Sequence, residues 1–271
     1  MIADRRREWA RNLKRRESVS DAPEYAGSLT GPTSVGAPPR PRNRLLRALP
    51  PEESARLRPH LEPVALAPLA LLAPAGAPIR HVYFPETGVI SLLSRSDDGA
   101  LIENGTVGHE GMVGFPLVLG VDWTASAIMS EVPGVSWRMD AAVFRALLPE
   151  LPALEASLRR YLAYLFAQIA QSLACNGLHP VEQRCARWLL MTHDRVEGDE
   201  FLLTHDVVAQ MLAVRRAGVS VAFEGLRDRG VIDYRRGRVT VRDRAGLEAA
   251  ACECYRIVCG HRDRLLAPLA D

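Results

Sequence analysis

The apolar positions change period along the chain, and the changes mark its parts. From residue 62 to about 140 they come in short runs: HVYF, GVISLLS, ALIE, SAIMSEV and VSWRM. Turn-forming residues stand between them, at PAGAP (74–78), PETG (85–88), DDG (97–99), Asn104-Gly105 and Pro133-Gly134. Many short strands with regular turn signals predict a β-sandwich or barrel. Asn104-Gly105 is the strongest local hairpin signal, because both residues tolerate positive φ. Before this region, residues 43–61 read as short helix, with Leu45, Leu46, Leu49 and Leu57 apolar; after it, residues 140–148 read as another.

The period then becomes helical. A long helix is expected from about 150 to 176, with Leu151, Leu154, Leu158, Leu162, Leu165, Ile169 and Leu173 on one stripe. The stripe repeats every eleven residues over three turns, close to the natural helical period, so it runs nearly straight along the axis. A continuous leucine stripe needs a partner. Its own β-domain is one candidate; two-fold pairing with an identical helix is the arrangement expected here.

Residues 205–224 read HDVVAQMLAVRRAGVSVAFE. Val208, Leu212, Val214, Val219 and Ala222 fall where two short helices crossing at a tight turn would share a core. Ala209 and Ala213 are small where the helices approach and the chain turns. This is the spacing of a helix-turn-helix, whose second helix enters the major groove of DNA. A helix through Thr192 and a brief strand at Phe201-Leu202-Leu203 precede it, and Thr204 supplies an N-cap oxygen. Val231-Ile232-Asp233-Tyr234 and Arg238-Val239-Thr240-Val241 flank Arg235-Arg236-Gly237, a hairpin in the position of a wing. Residues 243–258 are expected to close the domain as one helix.

Composition adds little, and distribution adds more. The 271 residues, 48% hydrophobic and 24% charged, allow two modest cores. Net charge is +2, but residues 215–244 hold nine arginines against four acids. A basic surface beside a reading helix suits phosphate contact; a solvated face is the plainer alternative. Nearly all the basic residues are Arg, with Lys14 the only Lys. Residues 1–41 form a basic, then Pro-, Gly- and Ser-rich extension expected to be disordered. No apolar run follows its arginines, and residues 64–73 are broken by Pro68, so no secretory signal or membrane span is expected and the cytoplasm is the expected location.

Taken together, HVYFPETGVISLL (81–93), GHEGMVG (108–114), LTHDVVAQMLAVRR (203–216) and RGVIDYRRGRVTV (229–241) resemble the Crp/Fnr family of bacterial transcription regulators over about residues 43–260. The resemblance implies an α+β fold: a β jelly-roll sensor domain of the cyclic-nucleotide-binding type (42–148), a long dimerisation helix (149–176) and a winged helix-turn-helix domain (177–271). It implies a homodimer on inverted-repeat double-stranded DNA that contacts RNA polymerase. The chain departs from the family at the ligand. Cyclic-nucleotide binders carry a Gly-Glu pair for the ribose and an Arg-Ser or Arg-Thr pair for the phosphate. Here Gly114 is followed by Phe115, Ser126 is preceded by Ala125, and no Arg lies between Gly108 and Trp137. A buried phosphate without a cation is uncompensated, so cyclic nucleotide is not the expected effector. A register slip would bring Glu110 toward the ribose. An unknown small effector in the β-domain pocket is the alternative.

The residues expected on DNA are Thr204 and His205 at the first helix's start, Arg215, Arg216, Ala217 and Ser220 early on the second, and Arg235, Arg236 and Arg238 on the wing. The second helix should begin near Val214. By resemblance Arg216 occupies a base-contacting position, Ala217 one where some members have Glu, and Val221 one where they have Arg. Arg215 is equally suited to clamp a phosphate.

No cofactor or metal is expected. Cys252, Cys254, Cys259 and His261 are ligand types, but residues two apart on a helix point about 200° from each other, so sharing an ion would need an unwound segment. Cys175 and His179 could share a helix face, yet Gly177 and Pro180 favour a turn with His179 as a cap or hinge group. The five cysteines show no disulfide framework. Enzyme motifs are missing: no Walker loop, GxSxG or HExxH. Asp97-Asp98 and His109-Glu110 read as exposed turn residues, and the glycines of GHEGMVG as turn formers.

Overall fold

The computed structural model describes residues 41–95 and 101–267. The chain enters through two short helices, α1 (Arg44–Arg47) and α2 (Pro51–Leu57). Asn43 caps the first by accepting from the Leu45 and Leu46 amides. Seven strands follow: β1 (Glu62–Leu66), β2 (Ala70–Ala73), β3 (His81–Pro85), β4 (Val89–Arg95), β5 (Leu101–Val107), β6 (Ala127–Val132) and β7 (Gly134–Asp140). They form two antiparallel sheets, ordered β1-β7-β3 and β2-β6-β4-β5. Then come α3 (Ala141–Leu147), capped by Asp140, and the 27-residue α4 (Pro152–Leu178). The remainder is α5 (Val181–His193), β8 (Glu200–Leu202), α6 (His205–Met211), α7 (Arg216–Asp228), β9 (Ile232–Arg235), β10 (Arg238–Val241), α8 (Arg244–Ala250) and α9 (Cys254–Leu265). No helix among the described residues is long and apolar enough to cross a membrane. The expected extension 1–41 lies outside them except for Pro41, as does the whole DDG turn.

Asn104-Gly105 is not a turn. Both residues lie inside β5, whose pairing with β4 skips from Gly105↔Leu92 to Glu103↔Leu93, so Asn104 is the extra residue of a bulge. Gly105 is there for closeness: a Cβ would stand 3.1 Å from the Ile169 side chain of α4. Local turn chemistry yielded to the crossing helix.

The β2-β6-β4-β5 sheet is a wall between two cores. Ile90, Leu92 and Ile128 face the roll, with Val82, Phe84, Met112, Met139 and the start of α4. Val89, Leu93, Met129 and Val132 face the opposite way, against Trp188, Leu189 and the helix-turn-helix. On that second face Ser91 links two carboxylates, of buried Glu131 and half-buried Glu103. Its Oγ lies 2.9 Å from Glu103 Oε2 and in short contact with Glu131, while Trp188 Nε1 donates to Glu103 Oε1 at 3.1 Å.

The α4 stripe needs correction. Leu151, Leu154, Leu158 and Leu165 are buried in the core of their own chain, Leu162 and Ile169 are half-buried, and Leu173 is 76% exposed. The inward face runs instead through Leu154, Leu158, Tyr161, Leu165, Gln168, Ser172 and Cys175. Polar groups can stand there because they are bonded: Gln168 Oε1 accepts from the Thr106 amide at 2.8 Å, and Ser172 Oγ accepts from Arg187 at 3.0 Å. A hydrophobicity count alone follows the leucines and misses this turn of the stripe.

His109-Glu110 is corrected too. Glu110 is 1% exposed and holds Arg195, at the end of α5, by bonds of 2.7–3.2 Å to both oxygens. Gly111 admits the Tyr161 ring, which a Cβ would meet at 2.1 Å. GHEGMVG is therefore the socket where the second domain docks. The closing helix is also two: α8 ends at Ala250 and α9 begins at Cys254.

Candidate nucleic-acid interface

The helix-turn-helix is held from inside. Val208, Leu212, Val219 and Ala222 are buried, and Val214 is partly so. The chain turns at Ala213, whose φ of 52° suits a small side chain. Buried Arg184 of α5 donates to the Leu212 carbonyl at the end of α6, closing that helix end from behind. The sequence reading passed over Arg184, because nothing local distinguishes a structural arginine from a solvated one.

Thr204 caps α6 by accepting from the Val207 amide at 3.3 Å. The second helix begins at Arg216, with Arg215 in the N-cap position, two residues later than Val214. Arg215, Arg216 and Ala217 are exposed, and Val221 continues their face with 67% of its surface open. Arg216 Nη1 lies 3.2 Å from Asp206, both side chains solvated, a contact that a phosphate or base can displace at little cost.

His205 and Ser220 sit elsewhere than expected. The His205 ring stacks on Tyr234 of the wing, 4.3 Å between centroids, meets Phe223 edge-on, and reaches Ser220 Oγ through Nδ1 at 3.1 Å. Burial, helped by the charge of Arg216, holds its pKa below the ordinary histidine value. A neutral imidazole that joins α6, α7 and β9 positions the wing; it is a poor phosphate ligand.

The wing turns through Arg236 (φ 50°) and Gly237 (φ 75°), both left-handed, as a two-residue hairpin loop requires. Arg235 leans on Asp233 at 3.3 Å and Arg238 on Glu200 at 2.8 Å. Arg242 also meets Asp233, and Arg229 meets Glu182. Much of the basic excess is thus internally balanced. Arg215 and Arg236 form no ion pair with any described residue, and both are exposed.

A second cluster, absent from the expected site, gathers Cys175, His179, Cys252 and Cys254 within 4.8 Å of one another. A cavity of about 330 Å³ opens at the domain junction, lined by Arg44, Arg47, His109, Glu110, Asp194, Arg195 and Arg262.

Comparison with known proteins agrees with this geometry. Residues 183–250 match the Crp-like helix-turn-helix domain. The structure is similar to that of FixK2 from Bradyrhizobium japonicum, with TM-score 0.60 and 15% identity over 71% of this chain and 98% of that one. It is similar to TTHB099, a CRP-family transcriptional regulator from Thermus thermophilus, with TM-score 0.57 and 24% identity over 69% and 96%. It is also similar to CLP of Xanthomonas campestris, described as a c-di-GMP-responsive global regulator, with TM-score 0.53 and 15% identity over 70% and 98%. A search of curated proteins by sequence found no match. Residues 183–250 are therefore a Crp-like helix-turn-helix domain, and the chain as a whole has the fold of the Crp/Fnr-type structures it is similar to.

Proposed function

We propose that this protein is a sequence-specific transcription regulator that binds inverted-repeat DNA as a homodimer, without cyclic nucleotide. One observation carries the reading: the start of α7 leaves Arg215, Arg216, Ala217 and Val221 exposed, and Arg236 of the wing is exposed with no ion pair among the described residues. Arg216 reads a guanine edge, Val221 offers an apolar contact to a thymine methyl, and Arg215 and Arg236 clamp phosphates. Pairing of two chains is supported by the outer face of α4, where Phe166, Leu173 and Leu178 are each about three-quarters exposed. That face, with half-buried Leu162, replaces the inner leucines as the seam. RNA polymerase is the further partner this reading implies.

The roll supports a sensor that has lost the nucleotide. Residues 114–127 contain no cation, and a buried phosphate there would be unpaired. A second reading, a regulator gated by a small effector, is favoured by the junction cavity. Its four arginines outnumber its acids, and an anion there would bridge the two domains.

Selection of bound duplexes from a random pool by the full chain tests the proposal. Enrichment of two half-sites about one helical turn apart, centre to centre, is the expected result. Binding with no enriched sequence, or no binding at low salt, would overturn it.

A further inference from the structure

We infer that Cys175, His179, Cys252 and Cys254 form a structural zinc site that ties the end of α4 to the junction of α8 and α9. The inference is independent of what the protein binds on DNA.

The four residues arrive from two places. Cys175 lies in the last turn of α4, and His179 follows directly, its backbone extended (φ −115°, ψ 146°) where the helix stops before Pro180. Cys252 lies in the break between α8 and α9, and Cys254 is the first residue of α9. On a continuous helix two residues so spaced would diverge by about 200°; the break turns both thiols inward. Cys175 Sγ is 3.5 Å from Cys252 Sγ, and Cys254 Sγ is 3.5 Å from His179 Nδ1.

Those distances fit one ion. With Zn–S near 2.3 Å and Zn–N near 2.0 Å, tetrahedral ligand atoms stand roughly 3.5–3.8 Å apart. An iron–sulfur cluster, whose thiolates bind different irons, needs a wider spread. A disulfide between Cys175 and Cys252 would leave the third thiol and the imidazole converging on nothing. Three thiolates and one imidazole form a closed donor set, the kind used for structure.

The surroundings agree. His179 Nε2 lies 3.2 Å from Glu253 Oε1, so the carboxylate accepts a hydrogen bond from that nitrogen and leaves Nδ1 facing the thiols. This is the carboxylate–histidine–zinc arrangement. Gln171 Nε2 donates to Cys254 Sγ at 3.0 Å, as it would to a thiolate. Zinc with three thiolates carries one net negative charge. The guanidinium of Arg187, which acts on Cys175, lies buried with its Nε and Nη1 unpaired and offers the balancing charge. The three cysteines are each at most 5% exposed, so the ion would be enclosed.

Metal analysis of the full chain, purified without chelator, is the test. About one zinc per chain is expected for a single closed site. Cys252→Ser with Cys254→Ser should bring it to background, and Glu253→Ala should weaken zinc binding about 10- to 100-fold. Glu253 is exposed, so that variant carries the test should the cysteine variants fail to fold. Cobalt in place of zinc should give the strong visible bands of a tetrahedral thiolate site, absent in Cys175→Ser. A metal-free chain that takes up no cobalt would overturn the inference. So would a Cys175–Cys252 disulfide in the purified protein, or zinc content unchanged in the cysteine variants.

Discussion

Arg216 and Arg236 are both exposed arginines, and the proposed function gives them different work. Arg216 stands on the first turn of α7, where side chains meet base edges. Arg216→Ala should cost about 1–3 kcal/mol of discrimination at one base pair of each half-site, read as relaxed preference there in a selection experiment. Arg236 stands at the tip of a two-residue turn, with no ion pair among the described residues. Arg236→Ala should weaken binding to all sequences alike and lower the slope of log K against log salt by about one per subunit. A shared loss at one position for both variants would contradict the division. His205 shows why such roles are hard to read from the chain. Its place at a helix start suggests a phosphate ligand, and only Tyr234, distant in sequence, shows it to be packing.

At the scale of the element, α4 has two apolar faces, one buried and one exposed. Leu158 is fully buried in the chain's own core, so Leu158→Ala should cost about 2–5 kcal/mol, measured by denaturant unfolding. Phe166 and Leu173 face outward. Phe166→Glu with Leu173→Glu should leave the subunit folded and yield a monomer by sedimentation; a dimer persisting at the same concentration would remove that face as the seam. The helix itself was legible from its leucines. Its rotation was not, because Gln168 and Ser172 point inward on hydrogen bonds to the Thr106 amide and Arg187, groups brought in by other elements.

Across the whole molecule, two buried acidic sites at the domain junction respond to pH in opposite directions. Glu110 is buried, which opposes ionisation, but the Arg195 guanidinium prevails and pulls its pKa down to about 2. Its contribution is complete above the unfolded carboxyl value near 4.3 and is lost as pH falls toward 2. Glu110→Gln leaves Arg195 buried without a counter-charge and should cost about 3–5 kcal/mol at neutral pH, while flattening acid unfolding in that window. Glu131 behaves in reverse. Burial, then the neighbouring Glu103, raises its pKa well above the usual range, and its Oε1 has no hydrogen-bond partner among the described residues. Stability linked to it is present at low pH and lost as pH rises through the raised value. Glu131→Gln should therefore raise the thermal midpoint more at alkaline than at mildly acidic pH; an equal gain at both would show that the pair does not titrate.

The sequence by itself did not mark β1, β2 or the break between α8 and α9, but it determined strands β3 to β7, the other helices and the helix-turn-helix with its wing. Those rest on period, capping and turn residues, which act within a few positions of one another. The exposure of Arg215, Arg216 and Ala217 at the start of α7 was legible for the same reason: a helix start is a local address. Only the tertiary structure decided that Asn104 bulges, that Glu110 grips Arg195, that α4 buries Leu158 but exposes Leu173, and that Cys175 meets Cys252 across 77 residues. Each of these is a contact between groups far apart in the chain. Their cost or gain depends on burial and on a partner's charge, quantities that no window of sequence contains.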